Sequence, residues 1–173
     1  MINKKESILK KYEEKIKKIK EISLNKNKKL LIQEIREISD KGVWILVFRD
    51  NLSEEYLEVG KCKKMKKELL EDLEIIEKEG CICNGCSKED YIARKTKNFR
   101  IKKCKMCDEP KKEIIRKKYA KKNPRRVDKY RDILDKYERE NLSFEIYEIE
   151  DESILKTIES EIAKELEVKY WYS

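Results

Sequence analysis

The apolar residues of the first 41 positions recur every three to four residues. In the first stretch this pattern covers Ile8, Leu9, Tyr12, Ile16 and Ile19. After the break LNKN at 24–27, the same period returns with Leu31, Ile35 and Ile38. Residues three and four apart lie on one face of an α-helix. The pattern therefore predicts an N-terminal segment, 1–41, made of two amphipathic helices.

Apolar runs further along the chain are typical of strands. Gly42 precedes VWILVF, and YLEV ends at Gly60, so DNLSE connects a predicted hairpin. Residues 61–78 return to helical spacing, NLSFEIYEIED predicts a third strand, and Asp151 or Ser153 caps a last helix. This order of elements predicts an α+β fold with a small three-stranded antiparallel sheet flanked by helices.

Five of the six cysteines lie in the stretch CICNGCSKEDYIARKTKNFRIKKCKMC, which begins at Cys81. Cys83-x2-Cys86 and Cys104-x2-Cys107 have the spacing of two knuckles that close a tetrahedral zinc site. Four thiolates leave no coordination position for an activated water, so the predicted zinc is structural. Two alternatives stay open: Cys81 replaces Cys83 as a ligand, or the two pairs are reduced thiols without metal.

The cysteine stretch divides the predicted core in two. The predicted organisation is an N-terminal helical segment over 1–41, a core formed by 42–79 and 142–173, and an inserted zinc module with basic helices over 80–141.

The formal net charge of +8 is concentrated in one segment. Residues 88–131 hold 19 Lys and Arg against 6 Asp and Glu, whereas residues 132–173 hold 5 against 13. The cations predicted to contact a ligand are Arg94, Lys95, Lys97, Arg100, Lys102 and Lys103, together with Arg125 and Arg126 in a helix that begins at Asn123 and Pro124. Tyr91 and Phe99 offer rings for stacking. Cations with aromatics predict contact with nucleic acid, DNA being favoured, and the alternative is a solvated lysine-rich face.

Hydropathy and charge also indicate a compartment. No run reaches the roughly 18 apolar residues of a membrane span, and MINKKESILKKYEEKIKK is charged throughout, unlike a signal peptide. We therefore expect no membrane partner and an intracellular protein, cytoplasmic or nucleoid-associated. In a reducing compartment, clustered cysteines more often bind metal than form disulfides. The acidic residues 132–173 offer a docking surface for a basic protein partner.

Residues 81–131 resemble the zinc-binding modules of phage HNH-type and related homing endonucleases. The shared layout is a CxxC pair, an aromatic, a CKxC pair and the basic helix KKYAKKNPRRVDKYR. The chain has no histidine, so the HNH catalytic histidines are absent. The resemblance implies a DNA-binding module encoded by a virus or mobile element.

The core resembles a diverged GIY-YIG endonuclease domain. The similar stretches are GVW at 42–44, EVG at 58–60, the following KCKKMKKELLEDL, and ESILKTIESEIAKEL near the end. In that family two tyrosines, an arginine on the first helix and a late glutamate serve hydrolysis, and the glutamate holds a divalent cation. Glu159 matches this glutamate, whereas Trp44 and Glu58 stand at the tyrosine positions and Glu68 near the arginine position.

An active enzyme of this kind would use other residues in place of the family residues that this chain lacks. The resemblance implies Mg²⁺ or Mn²⁺ at Glu159, which also borders the apolar stripe of its predicted helix; a simple helix-flank glutamate is the alternative. Tyr56, two residues before Glu58 and so predicted on the same strand face, would replace a missing tyrosine. Lys67, or Lys63 or Lys64 beside it, would replace the arginine. Glu58 is a candidate second metal ligand.

Three functions follow from these patterns. The favoured one is a nucleic-acid-binding protein on a GIY-YIG-like scaffold that no longer cuts, gripping DNA or RNA through the zinc-stabilised basic module. The first alternative is a divergent metal-dependent endonuclease, and the second is a protein-protein interaction or inhibitor protein.

Overall fold

A computed structural model describes residues 3–77 and 124–171, with the backbone alone at 124–128 and 131. In chain order, the described helices and strands are α1 (Lys4–Lys11), β1 (Ile16–Ser23), α2 (Lys28–Arg36), β2 (Gly42–Arg49), β3 (Glu54–Cys62), α3 (Met65–Glu77), α4 (Pro124–Lys136), β4 (Leu142–Ile149) and α5 (Glu152–Glu165). Short 3-10 turns at Glu13–Lys15 and Arg139–Asn141 precede β1 and β4. The prediction of an α+β fold is confirmed.

The chain forms two compact units. The first unit comprises Met1–Leu70 and Tyr137–Ser173 and contains the sheet, and the second unit comprises Glu71–Lys136. In the second unit, α4 begins at the predicted Pro124 and buries Tyr130 and Ile133. Most of the predicted insertion 80–141 lies outside the described residues, so its boundaries stay a prediction.

Four antiparallel strands form one sheet in the order β1-β4-β2-β3. Trp44 in β2 lies between Gly60 of β3 and Ile146 of β4, which sets the central register. β1 and β3 form the two edges. On the β3 edge, the backbone N–H groups of Lys169 and Tyr170 donate to the carbonyls of Tyr56 and Leu57 at 3.2 and 2.8 Å.

The prediction of a three-stranded sheet is wrong, because β1 adds a fourth strand. The helical spacing predicts that the first helix continues through Ile16 and Ile19, but α1 ends at Lys11 and Ile19 is 59% exposed in β1. Isoleucine is β-branched and favours strands. Pairing with β1 also gives hydrogen-bond partners to the backbone N–H and C=O groups along one edge of β4. A register shift between Ile16 and Lys18 breaks the alternation that would have marked a strand.

Helices cover both faces of the sheet. On the α5 face, the residues Val43, Ile45 and Val47 of β2 pack with Ile8 of α1 and with Leu155, Ile158 and Ile162 of α5. On the opposite α2 face lie Trp44, Leu46, Phe144 and Ile146, all buried. Lys20 donates to the carbonyl of Glu34 at 3.2 Å, which ties α2 to β1 on this face. A strand buried on both faces is apolar along its buried length, as β2 is from Gly42 to Phe48.

Two polar caps set where helices begin. The Asp151 side chain accepts a hydrogen bond from the backbone N–H of Ser153 at 3.1 Å, so Asp151 caps α5. Asn27 caps α2 by accepting from the N–H of Leu30 at 3.0 Å. Of the two predicted caps of the last helix, the first is confirmed.

Close packing leaves no room for a side chain at the glycines of GVW and EVG. A Cβ on Gly42 would lie 2.2 Å from the carbonyl oxygen of Tyr147, and a Cβ on Gly60 would lie 2.6 Å from the Trp44 ring. Trp44 is fully buried, and its ring meets Phe144 edge-on with 5.6 Å between centroids. Trp44, which the predicted resemblance places at the first tyrosine position of that family, is therefore a core residue in this protein.

Candidate functional site

Glu159 borders the apolar stripe of α5, as predicted, and its side chain is 16% exposed. The stripe residues Leu155, Ile158 and Ile162 are buried. The Glu159 carboxylate lies 3.1 Å from the ammonium of Lys61 in β3. A lysine therefore compensates this carboxylate, which removes the need for a metal ion to do so.

Tyr56 and Glu58 lie on opposite faces of the sheet, so the prediction of a shared strand face is wrong. Glu58 is opposite Leu46, but Tyr56 is opposite Val47, because the register shifts by one residue at this point of β3. Directly paired residues share a face, so Tyr56 lies on the α5 face and Glu58, 8% exposed, on the α2 face. A bulge of this kind leaves no clear mark in the sequence.

The hydroxyl of Tyr56 donates a hydrogen bond to Glu54. Burial, this hydrogen bond and the negative charges of Glu54 and Glu145 raise the pKa of Tyr56 well above its usual range. A tyrosine that stays protonated cannot accept a proton from water at neutral pH. The side chain offered for activating water is thus unsuited to that role in the described geometry.

Lys67 is exposed on α3 and makes no ion pair with the described residues. Its neighbour Lys63 is paired with Glu152. The residues predicted to act together, Glu159, Tyr56, Glu58 and Lys67, are divided between the two faces of the sheet and the surface of a helix. The structure does not bring them into one site.

A different polar cluster, which the sequence interpretation missed, lies on the α5 face. Glu145 in β4 is 6% exposed. Its carboxylate accepts hydrogen bonds from Lys5 at 2.9 and 3.2 Å, from Tyr147 at 2.6 Å and from the guanidinium of Arg49. Arg49 also pairs with Glu54, and with Glu21 at 2.6 Å. We call Glu145 with its three donors the Glu145 network.

Charge-assisted donors dominate the electrostatics of the Glu145 network. Burial alone raises the pKa of Glu145, but the hydrogen bonds from Tyr147 and Lys5, the charge of Lys5 and the bond from Arg49 outweigh it, so the pKa is lowered. Burial and the adjacent carboxylate raise the pKa of Tyr147. Both carboxylate oxygens are already occupied by protein donors, which makes the network a structural element.

The sequence offered one weak signal for this network. Glu145 and Tyr147 alternate with Phe144 and Ile146 in NLSFEIYEIED, which is typical of a strand with one solvated face. The structure covers that face with α1 and α5, and so buries a glutamate that alternation placed in water.

Carboxylates of the acidic residues 132–173 are widely paired with lysines of the N-terminal half. Glu161 accepts from Lys11 at 2.5 Å and from the hydroxyl of Tyr12 at 2.8 Å. The further pairs are Lys15 with Asp151, Lys17 with Glu150, Lys41 and Lys63 with Glu152, and Lys61 with Glu159. The predicted acidic docking surface is therefore partly neutralised within the fold, and the protein partner stays a prediction.

The two units differ in charge. The first unit holds 23 Lys and Arg against 23 Asp and Glu, and the second unit holds 21 against 13. The formal net charge of +8 therefore belongs to the second unit, which contains all of the basic residues 88–131.

The predicted zinc ligands, Cys83, Cys86, Cys104 and Cys107, lie outside the described residues, as does Cys81. The same holds for the predicted nucleic-acid contacts Arg94, Lys95, Lys97, Arg100, Lys102 and Lys103, and for the side chains of Arg125 and Arg126. Among residues 3–77 and 124–171, no three Cys, Asp or Glu side chains are grouped so that they could hold a metal ion. The structural zinc and the Mg²⁺ or Mn²⁺ at Glu159 stay predictions.

None of the helices in the described ranges is long and apolar enough to cross a membrane. Comparison of the chain with protein-family models, with characterised proteins and with solved structures finds no significant match. The resemblances to GIY-YIG and HNH-type endonucleases accordingly stay predictions.

Proposed function

We propose that the protein binds nucleic acid through residues 88–131, which a structural zinc holds in place, on a scaffold that does not cut. The distribution of charge carries this proposal. The first unit balances its 23 cations with 23 carboxylates, many of them in ion pairs, whereas residues 88–131 hold 19 cations against 6 carboxylates. Unbalanced cations bind phosphates by displacing counterions.

Geometry favours binding over hydrolysis. Hydrolysis requires a carboxylate that is free to take a metal ion, a group that activates water and a cation for the developing charge, all at one point. Glu159 is paired with Lys61, Tyr56 donates to Glu54, and Lys67 is on another element. The scaffold role is thus better supported than the endonuclease alternative.

Neutralising part of the basic segment tests the proposal. In a variant carrying Arg94→Gln, Lys95→Gln, Lys97→Gln and Arg100→Gln, we expect weaker binding to a mixed-sequence DNA duplex. The slope of log affinity against log salt should fall by about 3 to 4, because each lost phosphate contact contributes about 0.9. Fluorescence anisotropy over a range of NaCl concentrations measures both quantities.

A matched control removes four exposed lysines of the first unit that make no ion pair with the described residues: Lys4, Lys10, Lys156 and Lys164. Changing these four to Gln should leave the slope unchanged. Equal effects of the two variants, or no binding by the unmodified protein, would contradict the proposal.

The endonuclease alternative has its own test. We expect no cleavage of single- or double-stranded DNA or RNA with Mg²⁺ or Mn²⁺, because the predicted catalytic residues do not meet. Robust cleavage that disappears in Glu159→Ala would reverse the preference for a binding protein, and a Lys61→Ala control would separate loss of the ion pair from loss of a metal ligand.

A further inference from the structure

Positive charge is also concentrated within the first unit, on β1 and α2. Residues 16–36 hold seven Lys and Arg against two Asp and Glu, although the unit as a whole has equal numbers. The remaining residues of this unit therefore carry the opposite excess, and the unit is neutral overall but polarised.

The acidic residues in and next to α2 form ion pairs with lysines of this region. Glu34 of α2 pairs with Lys26 at 2.7 Å, and Glu37, which follows α2, pairs with Lys20 of β1 at 3.4 Å. On β1, Lys17 pairs with Glu150. These pairs occupy Lys17, Lys20 and Lys26, so of the four other cations of residues 16–36, one, Lys18, lies on β1 and three lie on α2: Lys28, Lys29 and Arg36.

Two cations on the outer face of α2 have no ion-pair partner within the part of the chain that the structure describes. Lys29 and Arg36 are exposed and seven residues apart, with the exposed Gln33 between them. Positions i, i+4 and i+7 share one helix face, so the two cations are about 10 Å apart along the axis. Leu31 and Ile35 on the other side of α2 are fully buried, which holds the helix orientation.

We propose that this face of α2, formed by Lys29, Gln33 and Arg36, contacts the phosphate backbone of a nucleic acid. This inference rests on the proposed function and adds a second contact surface to it. Arginine offers a planar fork that matches a phosphate, lysine a point charge, and glutamine a neutral donor, which are the groups that position a protein on a nucleic-acid backbone. The positive end of the α2 dipole lies beside Lys29 and adds to the attraction.

A double variant, Lys29→Gln with Arg36→Gln, tests this contact. We expect the full-length variant to bind a mixed-sequence DNA duplex more weakly and the salt slope of its affinity to fall by about 1 to 2. Both side chains are exposed, so the thermal unfolding midpoint should stay close to that of the unmodified protein.

The matched control is Lys156→Gln with Lys164→Gln on α5, which removes the same charge from two exposed positions that are also without ion-pair partners among the described residues. An α2 variant whose salt slope equals that of the control overturns the inference. If the basic-segment variant weakens binding while the α2 variant does not, the proposed function stands and this inference alone fails. If the unmodified protein binds no nucleic acid, both fail, and an acidic protein becomes the partner to seek for α2.

Discussion

Replacing Glu145 by alanine is expected to lower the free energy of unfolding by about 3 kcal/mol, because it breaks a buried charge network. Glu145 is 6% exposed and accepts from Lys5, Arg49 and Tyr147. Without the carboxylate, the Tyr147 hydroxyl and the Lys5 ammonium lose their buried acceptor, and an unsatisfied buried donor costs about 1 to 3 kcal/mol. Urea unfolding of the variant and the unmodified protein measures the difference.

Two comparisons sharpen the test of the Glu145 network. Glu145→Gln keeps the size of the side chain and removes its charge, so it separates electrostatics from packing. Glu150→Ala removes an exposed carboxylate, paired with Lys17 at the end of the same strand, and should cost less than about 1 kcal/mol. If Glu145→Ala costs no more than Glu150→Ala, the network does not stabilise the fold.

The same network predicts sensitivity to acid. The pKa of Glu145 is lowered in the folded protein, because hydrogen bonds from Tyr147 and Lys5 outweigh the effect of burial. Its stabilising contribution is therefore complete above the ordinary glutamate pKa and is lost as the pH falls through the lower, folded-state pKa. The difference in unfolding free energy between the unmodified protein and Glu145→Gln should shrink on acidification.

Removing zinc is expected to have the second large effect, confined to the cysteine segment. Cys83, Cys86, Cys104 and Cys107 predict one tightly bound zinc per chain, and the binding free energy of a structural zinc is about 10 to 16 kcal/mol, most of it folding energy of the module. Elemental analysis of protein purified without added metal should find close to one equivalent. Cys104→Ser should abolish zinc binding and nucleic-acid binding together, while the far-ultraviolet circular dichroism of the sheet and its helices persists.

The two cysteines outside the predicted set of four ligands, Cys62 and Cys81, provide the controls. Cys62 is half-buried at the end of β3, where its Sγ accepts from the N–H of Lys64 at 3.1 Å, so Cys62→Ser should retain zinc. Comparison of Cys81→Ser with Cys83→Ser decides which of the two is the ligand. Zinc well below one equivalent in the unmodified protein, or a disulfide between the two CxxC pairs under reducing conditions, would contradict the prediction.

The spacing of apolar residues was sufficient to predict an element where the same apolar residues are buried in the folded protein. The stripe of α5 was predicted from spacing and is buried at Leu155, Ile158 and Ile162. The apolar run of β2 predicted a buried strand, and Gly42–Arg49 forms it. In both cases local pattern and tertiary environment agree, so the sequence alone determined the element.

Tertiary contacts decided what local pattern could not. Ile16, Ile19 and Ile22 are spaced by three residues, which fits a helix, but the open edge of β4 pairs with them as β1. One extra residue in β3 places Tyr56 and Glu58 on opposite faces of the sheet, although they are only two residues apart. Strand pairing and bulges depend on a partner distant in sequence, which a local pattern does not contain.

The distribution of charge was likewise determined partly by the sequence and partly by tertiary contacts. The sequence by itself determined where the positive charge lies, because counting residues locates the excess in 88–131. Only the tertiary structure decided which charges remain unbalanced: it joins Glu159 to Lys61 and Glu161 to Lys11, and it leaves Lys29 and Arg36 exposed on α2. An ion pair forms between residues about 4 Å apart in space, whatever their separation along the chain.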